Sequence, residues 1–191
     1  MVVKSNDLGG VCFNRLNLTS SVNLPDTIFK RRGCMEDNTD YKQLIPYVVV
    51  VNEDNKVLTY KRSSKGGESR LHDTYSIGLG GHIDEPSKLT DTKAIIYDSM
   101  IREMGEELGT SIDWSNQIFK FKGTIYNNSD EVGRVHLGLL YVVKIDSKEL
   151  LEEGELDIVT DRKFLTVDEL FVKVGLEAWS QFIVERLEEV L

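Results

Sequence analysis

The residues best suited to chemistry are three glutamates near the end of a predicted helix. Glu103, Glu106 and Glu107 lie in the segment IREMGEELG, residues 101–109. At 100° per residue, these positions fall within an arc of about 100° of the helix surface. Their carboxylates repel one another by roughly 0.2–0.5 kcal/mol per pair on an exposed helix, and a divalent cation would reverse the sign of that interaction. The cluster therefore predicts either a solvated acidic helix face or a site for a divalent cation.

Local helix preferences also distinguish this segment from an ordinary solvated acidic face. Aligned backbone dipoles leave negative charge at a helix C-terminus and disfavour glutamate there. Gly105 costs the helix about 1 kcal/mol relative to alanine. Arg102 precedes the first glutamate and can orient it by a charge-assisted hydrogen bond. Because departures from local preference concentrate at functional sites, the segment is a candidate active site.

The elements that position this segment are an amphipathic helix and the strands around it. Apolar residues recur at spacings of three and four over residues 92–108, which predicts one helix with a buried stripe. LIPYVVVV (44–51) and KVLTYKR (56–62), joined by the turn NEDN, predict a hairpin. The glycines of YSIGLGGHID permit a strand to end in a sharply turned loop before the helix. Two further strands are predicted at 117–126 and 134–145.

The two ends of the chain differ in how clearly they can be interpreted. TVDEL predicts a capped helical turn, and residues 175–191 predict one amphipathic terminal helix. Its apolar side carries Trp179, Phe182, Ile183 and Leu187. Residues 1–43 show no clear period and are predicted to be an extension packed on or beside a core domain of residues 44–191.

Composition and charge exclude several classes of protein. The formal net charge of -9 argues against binding to polymeric nucleic acid, because such binding needs Lys and Arg to neutralise phosphates. The opening MVVKSNDLGG lacks the features of a signal peptide, and apolar runs such as YVVVV are too short to span a membrane. We therefore expect a cytoplasmic protein without membrane contact. Cys12 and Cys34 have no CxxC spacing and are expected to be free thiols.

The segment REMGEELG, from Arg102 to Gly109, resembles the signature of the Nudix hydrolases, Gx5Ex7REUxEExGU, in which U is a bulky aliphatic residue. GGHID resembles the glycine-led loop that opens this motif, with Gly81 as its first glycine. The runs GGESRLH, GGHI and KQLIPYVVV resemble those of a Nudix subgroup described as predicted phosphoesterases. The resemblance implies an α/β fold, a Nudix-type α/β/α sandwich with a mixed β-sheet and one catalytic loop-helix-loop.

The sequence departs from this signature before the helix. The distance from Gly81 to Arg102 is 21 positions where the signature has 14, which indicates an insertion of seven. The first glutamate of the signature would fall on Ala94, and Thr110 replaces the final aliphatic residue. The carboxylates that could substitute at the first position are Asp84, Glu85, Asp91 and Asp98.

The resemblance implies a pyrophosphohydrolase that cleaves a nucleoside diphosphate-type small molecule at a phosphoric anhydride bond. Glu103, Glu106 and Glu107 would hold Mg²⁺ or Mn²⁺ together with the Gly81 carbonyl, and Arg102 would complete the catalytic set. The general base stays open between one of these glutamates and a downstream carboxylate. The downstream candidates are Asp130, Glu131, Glu152, Glu153 and Glu155.

A basic loop between the hairpin and the motif is the predicted substrate-binding segment. It contains Lys61, Arg62, Lys65, Arg70 and His72, of which Arg62, Arg70 and His72 are predicted to bind terminal phosphates. The interpretation of this segment as an ordinary solvated loop without a ligand is an equal alternative.

Two other functions and the oligomeric state also stay open. A Nudix-fold ligand-binding or regulatory module with impaired catalysis is the alternative function, motivated by Ala94. A diphosphate isomerase would need a cysteine near the metal, and both cysteines precede residue 35. The sequence is compatible with a monomer or a homodimer.

Overall fold

A computed structural model of the chain describes residues 1–9, 15–63, 69–86, 88–151 and 159–191. The strands in these ranges are β1 (Val2–Lys4), β2 (Arg15–Leu18), β3 (Tyr41–Val51), β4 (Val57–Arg62), β5 (Tyr75–Ser76), β6 (Gly78–Leu79), β7 (Lys120–Tyr126), β8 (His136–Lys144) and β9 (Val159–Leu165). The α-helices are α1 (Thr92–Leu108), α2 (Glu131–Val135), α3 (Ser147–Leu151), α4 (Val167–Phe171), α5 (Ala178–Val184) and α6 (Leu187–Val190).

The described strands are hydrogen-bonded in the order β2-β7-β8-β3-β4-β5, and β1 and β6 also pair with β3 while β9 pairs with β4. The predicted hairpin is confirmed, since β3 and β4 are antiparallel with Val51 opposite Val57. Its turn depends on Asn52, whose Oδ1 accepts hydrogen bonds from the backbone N–H groups of Asp54 at 3.1 Å and Lys56 at 2.8 Å. A short polar side chain thus closes the turn by satisfying backbone donors.

The chain divides into two compact units. Unit 1 comprises Met1–Tyr47, Gly80–Met100 and Phe121–Tyr141, and unit 2 comprises Val48–Leu79, Ile101–Lys120 and Val142–Leu191. The core of unit 1 joins residues of β3, α1 and β8 to the N-terminal segment, as shown by buried Leu44, Ile95, Leu137, Val3 and Leu8. In unit 2, residues of β4 and α1 are equally buried, among them Leu58, Met104 and Leu108.

The N-terminal residues contribute strands that the sequence pattern did not reveal. In β1, Val2 lies opposite Gln43, and in β2, Leu16 lies opposite Ile125. Cys34 is exposed and free, as expected, while Cys12 lies outside the described residues. The boundary proposed at residue 43 stays a prediction.

The prediction of one continuous terminal helix over residues 175–191 is wrong. The structure has two helices, α5 and α6, separated at Arg186, whose φ of -131° and ψ of 27° are not helical. Trp179, Ile183 and Leu187 are nevertheless buried, as the apolar pattern predicted, because both helices direct that side inward. The TVDEL prediction is confirmed, since Thr166 and Glu169 form a capping box at the start of α4.

No helix in the described ranges combines the length and apolar character needed to cross a membrane.

Glycine is required at position 80 because another part of the backbone of unit 1 approaches it closely. A Cβ at this position would lie 1.8 Å from the Pro46 carbonyl oxygen, and the φ of +151° is rarely adopted by other residues. Gly105, in contrast, has no atom within 4 Å of a built Cβ. The glycine of the motif-bearing helix is therefore not required by packing among the described residues.

We expect Gly80→Ala to lower the free energy of unfolding by about 2 kcal/mol or more, because the backbone must shift to admit the methyl group. Gly105→Ala is the control. It should raise the free energy of unfolding by up to about 1 kcal/mol, because alanine has a higher helix propensity than glycine. Urea denaturation of both variants measures the difference. Wild-type stability of Gly80→Ala would contradict the close approach.

Candidate active site

The three glutamates occupy the last turn and a half of α1, whose predicted range of residues 92–108 is confirmed. The helix begins at a side-chain cap, since Asp91 Oδ1 accepts a hydrogen bond from the Ala94 N–H at 2.9 Å. It ends at Gly109, whose φ of +90° is readily adopted only by glycine. The glutamates thus lie where the helix dipole is least favourable to them.

Arg102 contacts two of the three glutamates. Its Nη2 lies 2.7 Å from Glu103 Oε1, which confirms the predicted contact with the first glutamate. Its Nη1 donates to Glu106 Oε2 at 3.1 Å, one helical turn further along. Burial opposes the charge of Arg102, but the charges and hydrogen bonds of the two glutamates outweigh it and raise the pKa of the guanidinium. Arg102 therefore supplies part of the positive charge that the sequence analysis assigned to a metal ion.

The three carboxylates differ in their access to water. The side chain of Glu106 is 56% exposed and that of Glu103 is 13% exposed. Glu107 is buried, with 7% of its surface exposed. A buried carboxylate needs compensating charge or hydrogen bonds, whereas an exposed one is solvated. The helix therefore presents one solvated and two sheltered carboxylates.

Glu107 acts electrostatically on Tyr60, a buried residue of β4 in the same unit. Burial is the main cause that raises the pKa of Tyr60 above its ordinary range; Arg62 opposes the shift, and the negative charges of Glu107 and Glu177 add to it. The Tyr60 hydroxyl donates to the Gly78 carbonyl oxygen at 2.8 Å and accepts from Arg62 Nη1 at 3.1 Å. Arg62 thus has a structural contact in addition to its predicted role in substrate binding.

Glu177 is a second buried carboxylate that acts on Tyr60, and the sequence analysis missed it. It caps α5 by accepting hydrogen bonds from the backbone N–H groups of Trp179 at 2.7 Å and Ser180 at 2.8 Å, and from the Ser180 hydroxyl. Ser180 Oγ in turn accepts from the Ile77 N–H at 3.0 Å, next to Gly78. Glu177 falls inside the predicted helix of residues 175–191, whereas α5 begins only after it, at Ala178.

The donor chemistry of the glutamate segment fits a hard cation. In the described ranges, no group of three or more His, Cys, Asp or Glu side chains is positioned to hold a metal ion. Glu103, Glu106 and Glu107 nevertheless offer only carboxylate oxygens, the ligands that Mg²⁺ and Mn²⁺ prefer. A cation at Glu103 and Glu106 would compete with Arg102 for their oxygens.

The remaining predicted residues lie in several places. Gly81 belongs to unit 1. Arg70 is exposed in a short 3-10 turn in unit 2, and His72 is partly buried after it. Lys61 Nζ forms an ion pair with Asp73 Oδ1 at 2.8 Å, which reduces the positive charge of the basic loop. Lys65 lies outside the described residues.

Asp91 and Asp130, which are among the alternative carboxylates, each cap a helix. Asp91 caps α1, and Asp130 caps α2 by accepting from the Gly133 N–H at 2.6 Å. Asp98 is exposed on α1 and Glu131 is exposed in the first turn of α2. The other downstream candidates, Glu152, Glu153 and Glu155, lie outside the described residues.

Comparison with known proteins identifies relatives along most of the chain. No protein-family model matches it. Protein YmaB of Bacillus subtilis (strain 168) is 35% identical over 161 residues, which cover 83% of this chain and 77% of that protein. The crystal structure of Tm1382, described as a candidate Nudix hydrolase, has a TM-score of 0.75 and 28% identity, and the match covers 100% of this chain and 98% of Tm1382.

A more distant neighbour supports the fold alone. The Nudix domain of Shewanella oneidensis NrtR, crystallised with ADP ribose, has a TM-score of 0.53 and 17% identity, covering 78% of this chain and 87% of that domain. Together with Tm1382, it confirms the predicted α/β fold with a mixed sheet and flanking helices.

We expect Tyr60→Phe to lower the free energy of unfolding at neutral pH by about 1–2 kcal/mol, because Arg62 loses a buried hydrogen-bond acceptor. Above about pH 10, an unfolded tyrosine ionises while buried Tyr60 keeps its proton, so wild-type stability falls with rising pH. The difference between the two proteins should therefore narrow in alkali. Urea denaturation at a series of pH values measures it.

Tyr141→Phe is the matched control. Burial raises the pKa of Tyr141 to about 12, and its hydroxyl has no hydrogen bond to another described residue. This control should lose less stability at neutral pH than Tyr60→Phe. Equal losses would contradict the role assigned to the Tyr60 hydroxyl.

Proposed function

This chain belongs to the Nudix hydrolase family, and we propose that it is a Mg²⁺- or Mn²⁺-dependent pyrophosphohydrolase of a nucleoside diphosphate-type small molecule. The observation that carries the proposal is the contact of Arg102 with both Glu103 and Glu106, beside buried Glu107 on the same helix. These four residues lie in the segment from Arg102 to Gly109, which resembles the family signature in both sequence and spacing.

Glu103, Glu106 and Glu107 would hold the divalent cation. When bound, it would neutralise phosphate oxygens and lower the pKa of water, as such ions do in phosphoryl transfer. This chain's own contribution is to hold the carboxylates in place. Arg102 restrains Glu103 and Glu106 through two different nitrogens, so the planar guanidinium sets the orientation of both side chains. Gly81 stays a proposed carbonyl ligand from the resemblance.

A carboxylate of this segment is also the proposed general base. Glu106 has the greatest access to water of the three, since its side chain is 56% exposed. A proton taken from an attacking water by a Glu106 oxygen could pass directly to solvent. The sheltered positions of Glu103 and Glu107 suit them better to holding a cation than to exchanging protons with bulk water.

The proposed substrate contains a diphosphate joined to a second group. ADP ribose, bound by the NrtR domain, is a molecule of this kind and supports testing the class first. Arg62, Arg70 and His72 are the proposed phosphate ligands, because their loop is basic in a chain with a net charge of -9. Exposed Arg70 is the best placed of the three to meet a ligand from solvent.

A ligand-binding module with impaired catalysis is the second candidate. It is favoured by Ala94, which stands where the signature has its first glutamate and which contributes only its backbone N–H to the Asp91 cap. Saturable binding of a diphosphate compound without product formation would favour this candidate over the hydrolase.

We expect purified protein with Mg²⁺ or Mn²⁺ to release phosphate or a monophosphate from at least one member of a panel of nucleoside diphosphates, nucleoside diphosphate sugars and dinucleotides. Glu106→Gln should lower kcat by about 100-fold or more, because loss of a general base commonly costs 10²–10⁴-fold. Glu188→Gln, an exposed change of the same type in α6, is the control and should retain full activity. Full activity of Glu106→Gln would contradict its assignment.

Metal binding can be tested without turnover. Mg²⁺ should raise the Tm of the wild type and of Glu188→Gln, since a ligand at 100 times its Kd stabilises the folded state by about 2.7 kcal/mol. Glu107→Gln should lose most of this increase, and its Tm in EDTA should stay at or above the wild-type value because like-charge repulsion is relieved. Thermal unfolding in EDTA and in Mg²⁺ measures both effects. An unchanged Mg²⁺ response in Glu107→Gln would remove it from the metal site.

A further inference from the structure

Two histidines and a glutamine that the proposed chemistry does not use meet in unit 1. Nε2 of His82 lies 3.2 Å from Nε2 of His136, and Nε2 of Gln43 lies 3.3 Å from the same atom. His136 and Gln43 are buried, and His82 is partly buried. Their convergence is a property of the fold, because His82 and Gln43 are 54 and 93 positions away from His136 in the sequence.

The contacts of His136 determine which of its ring nitrogens carries the proton. Its Nδ1 lies 2.7 Å from the Val132 carbonyl oxygen, which can only accept a hydrogen bond, so Nδ1 is the donor. In the neutral ring, Nε2 therefore presents a lone pair towards His82 and Gln43. A histidine that binds a metal ion through one nitrogen almost always donates its other N–H to a carbonyl, a carboxylate or water. His136 has this arrangement.

The turn of α2 that accepts this hydrogen bond is itself restrained. Asp130 Oδ1 accepts from the Gly133 N–H at 2.6 Å, and Lys42 Nζ donates to the Gly133 carbonyl oxygen at 2.6 Å. A Cβ at Gly133 would lie 2.6 Å from the Asn127 carbonyl oxygen, so the turn packs too tightly for a larger residue. These contacts hold the acceptor of His136 in place. A ligand that is oriented in advance loses little conformational freedom when it binds an ion.

The separations between the nitrogen atoms match those around a tetrahedral metal ion. Zn²⁺ binds imidazole nitrogen at about 2.0–2.1 Å, so two ligand atoms of a tetrahedral site lie about 3.3–3.4 Å apart. The separations of 3.2 Å and 3.3 Å are close to this value. The rings of His82 and His136 meet edge to face at an interplanar angle of 66°, so both can direct Nε2 at one ion. In the metal-free chain the same separation allows a hydrogen bond between the rings, which an ion would replace.

The glutamine and water would complete the ligand set. Rotation of the Gln43 amide by half a turn directs Oε1, in place of Nε2, towards the ion. His82 then carries its proton on Nδ1 and binds through Nε2. Both side chains also line a cavity of about 340 Å³, which has room for a water molecule as the fourth ligand. Imidazole ligands favour Zn²⁺ and similar ions, whereas Mg²⁺ favours oxygen ligands.

We propose that His82, His136 and Gln43 form a binding site for Zn²⁺ or a similar borderline divalent cation. The site differs from the one proposed on α1 in its ligand atoms and in the class of its ion. The ion would join β3, the loop after Gly81 and the start of β8, and would stabilise the folded state by binding to it. The assignment goes beyond the proposed function, because it holds whether or not the chain hydrolyses a diphosphate.

The test is isothermal titration calorimetry with Zn²⁺ as the probe, in excess Mg²⁺ to occupy the carboxylates of α1. The background protein carries Cys12→Ser and Cys34→Ser, which remove thiol ligands, and it should bind one Zn²⁺ at micromolar concentration. His136→Asn should raise the Kd at least tenfold, because its amide can keep the hydrogen bond to the Val132 carbonyl but supplies no ligand at the position of Nε2. His82→Asn, at a partly buried position, should raise the Kd equally without altering the buried ring.

His72→Asn is the matched control, because His72 is the remaining histidine of the chain and belongs to unit 2. Its Kd for Zn²⁺ should stay within twofold of the background value. Zn²⁺ should also raise the Tm of the background protein and of His72→Asn, but not that of His82→Asn.

Three results would overturn the proposal. These are no binding of Zn²⁺ at micromolar concentration, binding by His82→Asn that equals the background, and an equal loss of affinity in His72→Asn. Because neither substrate nor turnover enters the measurement, these outcomes are independent of the hydrolase proposal.

Discussion

The accumulation of negative charge at the C-terminal end of α1 is the constraint on which the candidate active site depends. Three carboxylates add to the negative end of the helix dipole, where a cation would normally be favoured. Arg102 compensates part of this charge from within the same helix by contacting Glu103 and Glu106. Glu107 is instead buried in unit 2, where its charge acts on Tyr60. The three carboxylates thus lie in two environments: Glu103 and Glu106 are ion-paired with Arg102, and Glu107 is buried near Tyr60.

The two environments differ in how easily the contacts of a carboxylate can be replaced. Surface ion pairs contribute about 0–1 kcal/mol each, so the contacts of Arg102 are weak enough to be exchanged for contacts with a stronger cation. The partners of a buried charge are not exchanged so easily, because the cost of removing that charge from water must always be compensated. The ion pairs of Arg102 are therefore the adjustable part of the site, and buried Glu107 is the fixed part.

The sequence was sufficient for elements whose own pattern is strong. The helix over residues 92–108 has a continuous apolar stripe, and the hairpin of β3 and β4 has β-branched strands on both sides of a polar turn. It was insufficient for β1 and β2, which have three and four residues and pair with strands far along the chain. Such short segments carry no period, and only tertiary pairing defines them. The interruption at Arg186 also left no local signal, since the apolar stripe continues across it.

The candidate site also contains some contacts that the sequence predicts and others that it does not. The Arg102–Glu103 contact follows from adjacency in one helix and could be predicted. The influence of Glu107 and Glu177 on Tyr60 could not, because it joins residues more than forty positions apart in the chain. The alternating polar residues of a strand do not indicate which of them will meet a helix. Spacing therefore identified the residues of the helix, while the interior partners required the folded chain.

The exposed thiol of Cys34 has a practical consequence. It lies two residues after Arg32, which lines a cavity of unit 1 together with Gln43 and His82. Once Cys12 is replaced by serine, a maleimide fluorophore attached at Cys34 would be the single label on the protein. Its emission would then report directly on changes in the surroundings of residues 32–34, and stopped-flow mixing could follow those changes in real time.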